Sequence, residues 1–406
     1  AGVPDVQVGV CQWEGGGAMN YPIWELFTMG GGSLIALIAV PHVYISHLAV
    51  GGGLFLWLTD LKGFRESSPA IHTYLKKHIW FFLLLTMVFG GITGVGIWFI
   101  IALVSPAATT TLIHNFVFGW AIEWVFFLGE IVALLLYHYR YDSMSRKARL
   151  RISFLYFLFA WLSMVVINGI IGFMLTPGAW LETHSFWDGF FNPTYWPSLF
   201  FRTSIAFTFA GLFGYITTLF LEDKAFRRQM VSYCTKWLLY PLLGLIPAAA
   251  WYFYAVPEDV RAVAFEMNKL TGMWIDYLVW ATVAIFLLGV LMSASRSIAV
   301  QHLAVVLLVP IGLVWMGGFE YTREISRKPY VLFGHMYSNS IPVADAEKIN
   351  NEGLLTLARW SAVDRVTDQN RLEAGREIFN IQCMACHTIG GLQNDIVPQV
   401  EPLGFQ

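Results

Sequence analysis

Charge is scarce in this chain: Asp, Glu, Lys and Arg together make up 13% of its 406 residues, against 57% apolar ones. That balance excludes an ordinary water-soluble globule and indicates an integral membrane protein. No basic stretch with interleaved aromatic residues occurs, so nucleic acid is not an expected partner. Cysteine is rare too. Of the four, Cys11 and Cys234 lie far apart and are expected on opposite membrane sides, while Cys383 and Cys386 are close together. A disulfide-stapled scaffold is therefore not expected. The first residues, from Ala1, lack the basic n-region and apolar core of a secretory signal. Residues 1–26 read as a Gly-rich leader, with Met19 an alternative start. No repeat, low-complexity tract or coiled coil is present.

What the chain has in abundance is apolar runs of spanning length. Eight helices are expected, at about 27–59, 78–104, 116–139, 152–176, 197–221, 233–255, 272–294 and 299–317. The fold class is all-α, a polytopic transmembrane bundle with a small α-helical segment at the C-terminus. The loops orient it. Basic residues crowd the odd connections: Lys62, Arg65, Lys76 and Lys77 in the first; Arg140, Arg146, Lys147, Arg149 and Arg151 in the third. The fifth carries Lys224, Arg227, Arg228 and Lys236, and the seventh carries Arg296. The second connection is uncharged, the fourth carries Glu182 and Asp188, and the sixth mixes Arg261 and Lys269 with acids. The positive-inside rule puts the odd loops in the cytoplasm and both termini outside.

Near the end stands Cys383-Met384-Ala385-Cys386-His387. C-x-x-C-H is the attachment signature of a c-type haem: two thiols bond the macrocycle and the histidine supplies an axial nitrogen to iron. The run before it, ending Gly375-Arg-Glu-Ile-Phe-Asn-Ile-Gln, resembles the first helix of class I cytochromes c. Attachment on the outer, oxidising side agrees with the loop charges. Only 19 residues follow His387, and none is Met, His, Lys or Cys. The sixth ligand is then open: Met336, His335, a partner chain, an unfilled position, or chain beyond Gln406.

Ionisable groups inside a bilayer cost about 2.5–3.5 kcal/mol each and are functional candidates by default. His42 and His47 lie in the first span, Glu123 and Glu130 in the third. A spacing of seven puts the two glutamates on one helical face. By helical rise Glu123 sits roughly 10 Å, Glu130 roughly 20 Å and His42 roughly 20 Å below the outer surface. Glu324 is expected at that surface. Haem ligation and a structural polar network are both open for these groups, with the second favoured for His47. His72, His78, His138 and His302 lie toward the cytoplasmic face, where a bis-histidine haem is a further alternative. Gly30-Gly31-Gly32 and Gly51-Gly52-Gly53 bracket the first span, for close helix packing or for a macrocycle against bare backbone.

These residues resemble subunit I of cytochrome bd-type terminal oxidases over about residues 27–335. His42 with Gly51 is similar to the family's first-helix histidine, a high-spin haem ligand. Thr93-Gly94-Val-Gly-Ile-Trp98-Phe99 resembles the T-G-x-x-x-E-F motif, with Trp98 in place of the acid. Glu123 and Glu130 resemble the acidic pair of haem ligation and proton delivery, spaced by seven rather than eight. Asn168-Gly169 with Pro177 is similar to the N-G-W-M-Q-N-P stretch. Gly318-Phe-Glu-Tyr-Thr-Arg-Glu324-Ile-Ser-Arg327-Lys328-Pro329-Tyr330 resembles the E-x-G-R-Q-P-W segment, whose Glu ligates haem. Arg202 stands where the family's low-spin haem histidine is expected, the seventh helix lacks its methionine, and the outer quinol loop is reduced to about 255–271.

The resemblance implies a bd-like respiratory haem protein of the bacterial inner membrane. Four segments are expected: the leader 1–26, a haem-binding bundle 27–318, an outer segment and connector 319–369, and a cytochrome c segment 370–406. The implied cofactors are a covalent haem c on Cys383, Cys386 and His387, and one or more non-covalent haems of b or d type. His42, Glu123, Glu324 and Arg327 would hold the latter, with His42, Glu324 and His387 on iron. Glu123 and Glu130 would relay protons or serve as the haem-site acid. Implied partners are a subunit II-like membrane chain or a second copy, a cytochrome c-type donor or acceptor, and the lipid bilayer. Dioxygen reduction with cytochrome c-type rather than quinol input is one reading. A non-oxidase haem-bearing subunit of a larger complex, or a membrane anchor for the haem c alone, are the others.

Overall fold

A computed structural model describes residues 23–268, 270–358 and 361–404. Most of the leader, with Cys11 and Met19, and Lys269 of the sixth connection lie outside the described residues. The described chain is almost wholly helical, and eight of its helices are long and apolar enough to cross a membrane. They are α1 (Gly31–Arg65), α2 (Pro69–Val104), α3 (Pro106–Tyr139), α4 (Arg146–Phe173), α5 (Tyr195–Thr218), α6 (Lys224–Ala255), α7 (Leu270–Ala294) and α8 (Ile298–Ile325). This is a multi-pass membrane chain.

Every expected run is a helix, but several begin earlier than the apolar pattern predicts. The reason is capping. Ser68 accepts from Ile71 N (3.4 Å) ahead of Pro69. Ser145 accepts from Ala148 N (3.3 Å). Asp223 accepts from Ala225 N and Phe226 N (2.8 and 3.1 Å). Each cap satisfies a helix-end N–H, so the basic residues behind it fold into the first turns of a helix instead of a loop. The expected start of the third span coincides with a kink in α3, at Phe116 (φ −122°, ψ 26°). At the other extreme, α8 runs to Ile325, past the expected end at 317. Glu320, Arg323 and Glu324 are therefore helical residues and not part of a surface segment.

Packing divides the chain into two units. The larger, Val40–Gly94 with Phe116–Ser326, holds most of the bundle. Its interior is aromatic and aliphatic, with Phe55, Tyr74, Phe82, Tyr156, Phe209 and Tyr215 all buried. The Gly51–Gly53 run lets neighbouring helices close on α1: Gly51 faces the Ala206 carbonyl, Gly52 the Phe82 ring and Gly53 the Tyr156 ring. Close packing is thus the role of that run.

The smaller unit comprises Ala1–Ala39, Val95–Asn115 and Arg327–Gln406. It contains a two-stranded antiparallel hairpin, β1 (Tyr330–Leu332) with β2 (Met336–Tyr337), turned at Gly334. It also contains α9 (Arg371–Gln382). Ala374 and Ile381 of α9 share a small core with Ile341, Ile349, Leu355 and Val363. Helix α9 therefore packs on the segment before it. Each fully buried aliphatic side chain there contributes about 1.5–3 kcal/mol.

Glu25 belongs to the same unit. Its carboxylate is buried and accepts from Asn380 Nδ2 (3.3 Å). Burial, and then the nearby Glu377, raise its pKa from 4.5 to about 7, with Arg376 opposing. Between those values the folded state holds a proton that the unfolded state has released. The contact between Glu25 and α9 is thus strongest in acid and weakens as pH rises through about 7. Hydrogen-exchange protection at residues 24–33, corrected for the intrinsic pH dependence of amide exchange, should fall between pH 4.5 and about 7 in the parent chain. In Glu25→Gln that protection should stay level over the same range.

Candidate functional site

The C-x-x-C-H box begins where α9 ends. The N–H groups of Cys386 and His387 both donate to the Cys383 carbonyl (3.0 and 2.9 Å). One tight turn thereby carries both thiols and the imidazole. Both thiols are free and half-buried. Burial, and then Cys386 beside it, push the Cys383 thiol up. His387 Nδ1 donates to the Asn394 carbonyl (2.9 Å), which fixes the ring and leaves Nε2 for a metal. Gln393 locks the loop that follows. Its Nε2 donates to the Ala385 carbonyl (2.9 Å), and its Oε1 accepts from Ser33 N (3.2 Å) in the first turn of α1. Gly30, at φ +76°, and Gly32 lie directly under that amide, where a Cβ would collide with it. The first glycine run therefore seats Gln393. The donor set of the box fits a covalently held haem. Of the residues expected to offer a sixth ligand, Met336 is buried on β2 and His335 is half-buried in the hairpin turn before it.

In the larger unit, His42 is half-buried on α1 against the middle of α2. There α2 widens into a π-helical stretch, Leu84–Gly90. Such bulges free backbone carbonyls and recur at functional sites. His42 Nδ1 lies 3.1 Å from the Gly90 carbonyl and 3.2 Å from Thr93 Oγ1. Thr93 Oγ1 itself donates back to Phe89 O (2.8 Å). With Nδ1–H given to the carbonyl, Nε2 is the nitrogen left for iron. Gly94 makes the approach possible, since a Cβ there would stand 2.9 Å from His42 Cε1. This is a donor held in one orientation, as a haem-iron ligand needs. Thr93→Val is expected to lower retention of a non-covalent haem by about 10–100-fold in affinity. Haem content after graded detergent washing would measure it.

The two glutamates of α3 face α4, which runs antiparallel. Glu123 accepts from Ser163 Oγ (2.6 Å). Glu130, fully inside, accepts from Tyr156 OH (3.0 Å). Seven residues separate the partners on each helix, so the pairs form two layers of one stripe. The hydrogen bonds of His42 run to Gly90 and Thr93, and that of Glu123 to Ser163. The structure does not join His42 and Glu123 through a hydrogen bond.

A third group was only partly visible in the sequence. Arg202 on α5 is buried and pairs with Glu320 on α8 (2.8 Å). Arg323, one turn on, also pairs with Glu320 (3.1 Å) and donates to the Ile171 carbonyl (3.3 Å). His47 completes the set, with Nδ1 donating to the Val43 carbonyl (2.7 Å) and Nε2 lying 3.4 Å from Arg202 Nη1. The Arg202 guanidinium also lies over the Phe319 ring at 5.0 Å. Glu324 is half-buried in the last turn of α8, and buried Arg327 opens the smaller unit.

This arrangement of helices has a counterpart among solved structures. The chain matches the bd oxidase from Geobacillus thermodenitrificans with a TM-score of 0.66 at 14% identity, over 75% of this chain and 88% of that one. The fold is bd oxidase-like. No protein-family model and no curated protein matches the sequence.

Within this bd-like fold the four histidines of the basic-loop end have separate surroundings. His72 lies against Asp60 and Arg149. His78 is buried among Phe55, Tyr74 and Phe82 and bonds Thr217 Oγ1 (2.8 Å). His138 stacks on Trp80, and His302 donates to the Ile298 carbonyl (2.8 Å). A bis-histidine site in that layer has no support. Sequence reasoning missed Ser163, Tyr156 and Glu320 as partners, and missed the π-helical stretch. A polar residue repeated every seven along α4, opposite the α3 glutamates, was the available signal for the first two.

Proposed function

We propose that the chain is the haem-bearing subunit of a bd-like membrane oxidase whose electrons enter through a covalent haem c. The observation that carries this reading is His42, held by the Gly90 carbonyl beside Thr93-Gly94 with one nitrogen left for iron, in a bd oxidase fold. When bound, the haems would supply one-electron exchange and, at the His42 centre, dioxygen reduction. Cys383 and Cys386 would hold haem c with His387 on iron. His42 would hold the iron of a b- or d-type haem, with Glu123 beside that site. Glu324 would ligate a second such haem, and Arg327 would meet propionates. Dioxygen takes four electrons and four protons to give two waters. The electrons would come from a reduced cytochrome c-type donor. The protons would come through Glu130 from the side of the basic loops, which we place in the cytoplasm of a bacterial inner membrane.

The pairing of Arg202 with Glu320 supports cytochrome c rather than quinol as the input. Where the family resemblance expects a low-spin haem ligand, this chain has a cation locked to a carboxylate. A subunit II-like chain or a second copy would complete the assembly. A non-oxidase electron-transfer subunit is the second reading, favoured by Glu123 bonding Ser163 and by Trp98 in place of an acid. Oxygen uptake by the purified chain decides between them. Reduced cytochrome c-type donors should sustain it and quinol should not. Haem reduction without oxygen uptake would establish the second reading.

A further inference from the structure

The mechanism above leaves unused a buried polar cluster at the basic-loop end of the larger unit. Asp60, on α1, is fully buried. Arg149 grips it with two bonds, Nε to Oδ2 (2.9 Å) and Nη2 to Oδ1 (2.8 Å). Tyr137 OH donates to Oδ2 (3.1 Å). His72 Nδ1 lies 3.4 Å from Oδ1 and 3.1 Å from Arg149 Nη2. The His72 side chain is 24% exposed, Arg149 10% and Asp60 0%, so His72 is the most water-exposed of the three.

The cluster is in register with the glutamate stripe. Tyr137 lies seven residues beyond Glu130 on α3, and Arg149 seven before Tyr156 on α4. Three layers thus repeat along one helix pair: Glu123 with Ser163, Glu130 with Tyr156, and Tyr137 with Arg149 through Asp60. One heptad is about 10 Å of helix, too long for a single proton hop. Ser153 divides that gap. It is buried, lies on the same face of α4 between Arg149 and Tyr156, and carries a rotatable hydroxyl that donates to the Leu150 carbonyl of its own helix (3.3 Å). Besides Arg149 the carboxylate takes two hydroxyls, Tyr137 and Tyr141 (to Oδ1, 3.5 Å), and of these Tyr137 lies on the α3 stripe that leads toward Glu130.

We propose that His72, Asp60 and Tyr137, with Ser153, form the proton intake that serves Glu130. A proton from water at His72 passes by hopping along the hydroxyls and interposed water to the Glu130 carboxylate. Each relay takes one proton and gives one, so no net charge stays behind. Arg149 is a positioning residue: its two bonds hold the Asp60 carboxyl in place. This rests on the reading of Glu130 as a proton relay, but its test does not use oxygen chemistry.

The experiment is infrared-detected hydrogen–deuterium exchange of the Glu130 carboxyl in the full-length holoprotein in lipid nanodiscs, its band assigned by Glu130→Gln. Tyr137→Phe and Ser153→Ala keep the packing and remove one hydroxyl each. Each should slow exchange about tenfold or more, and His72→Gln should slow it as well. Tyr139→Phe, on the exposed side of α3, should exchange at the parent rate. A Glu130 without an exchangeable proton, or exchange unchanged in both Tyr137→Phe and Ser153→Ala, overturns the proposal. Slowed exchange in a chain that reduces no dioxygen would retain the intake and remove the oxidase reading.

Discussion

A chain carrying Cys383→Ser and Cys386→Ser is expected to lose all covalently bound haem while keeping its bundle. The two thiols sit on one turn after α9, half-buried and unpaired. Serine hydroxyls cannot form the thioether bonds that attachment requires. The turn itself is made by backbone bonds to the Cys383 carbonyl, and the adjoining core by Ile381 and Ala374. The substitution therefore removes the chemistry and leaves the scaffold. Haem staining of a denaturing gel measures this directly: a strong band in the parent and none in the double variant. Each single variant should retain a weaker band. An unstained parent chain would end the cytochrome c reading.

The second large effect is on stability. Glu320→Ala should destabilise the larger unit by about 3–5 kcal/mol, the usual cost of breaking a buried ion pair by removing one partner. Arg202 and Arg323 would then face each other with no carboxylate between them. The triple replacement Arg202→Met, Glu320→Met, Arg323→Met should cost far less, because no charge is left buried. Thermal unfolding of the detergent-solubilised chain, followed through tryptophan emission, would show the contrast. Equal losses in the two variants would mean that side-chain shape, and not charge, holds α5 to α8.

The spans were readable because lipid forces every backbone group into a helix, and only long apolar runs meet that demand. Their ends were less readable. Ser68, Ser145 and Asp223 cap helices in charged stretches that resemble loops by composition. Asp60 shows the consequence. It fell just beyond the expected first span, but α1 continues to Arg65 and buries it. The C-x-x-C-H box stood out as a candidate attachment site because its spacing is local. Glu320 was not legible as the partner of Arg202, since 118 positions separate them and no local pattern links them. Thr93-Gly94 lies between these cases. The motif pointed to the place, and the fold supplied the reason: Gly94 gives the His42 ring room, and Thr93 with Gly90 fixes its nitrogen.

The most direct measurement is the carbon monoxide difference spectrum of the reduced, purified chain, compared with that of His42→Ala. A non-covalent high-spin haem that binds carbon monoxide should be present in the parent. It should be absent from His42→Ala, with the covalent haem c retained in both. A parent chain holding only haem c, or only six-coordinate low-spin haems indifferent to carbon monoxide, would contradict an oxidase built around His42.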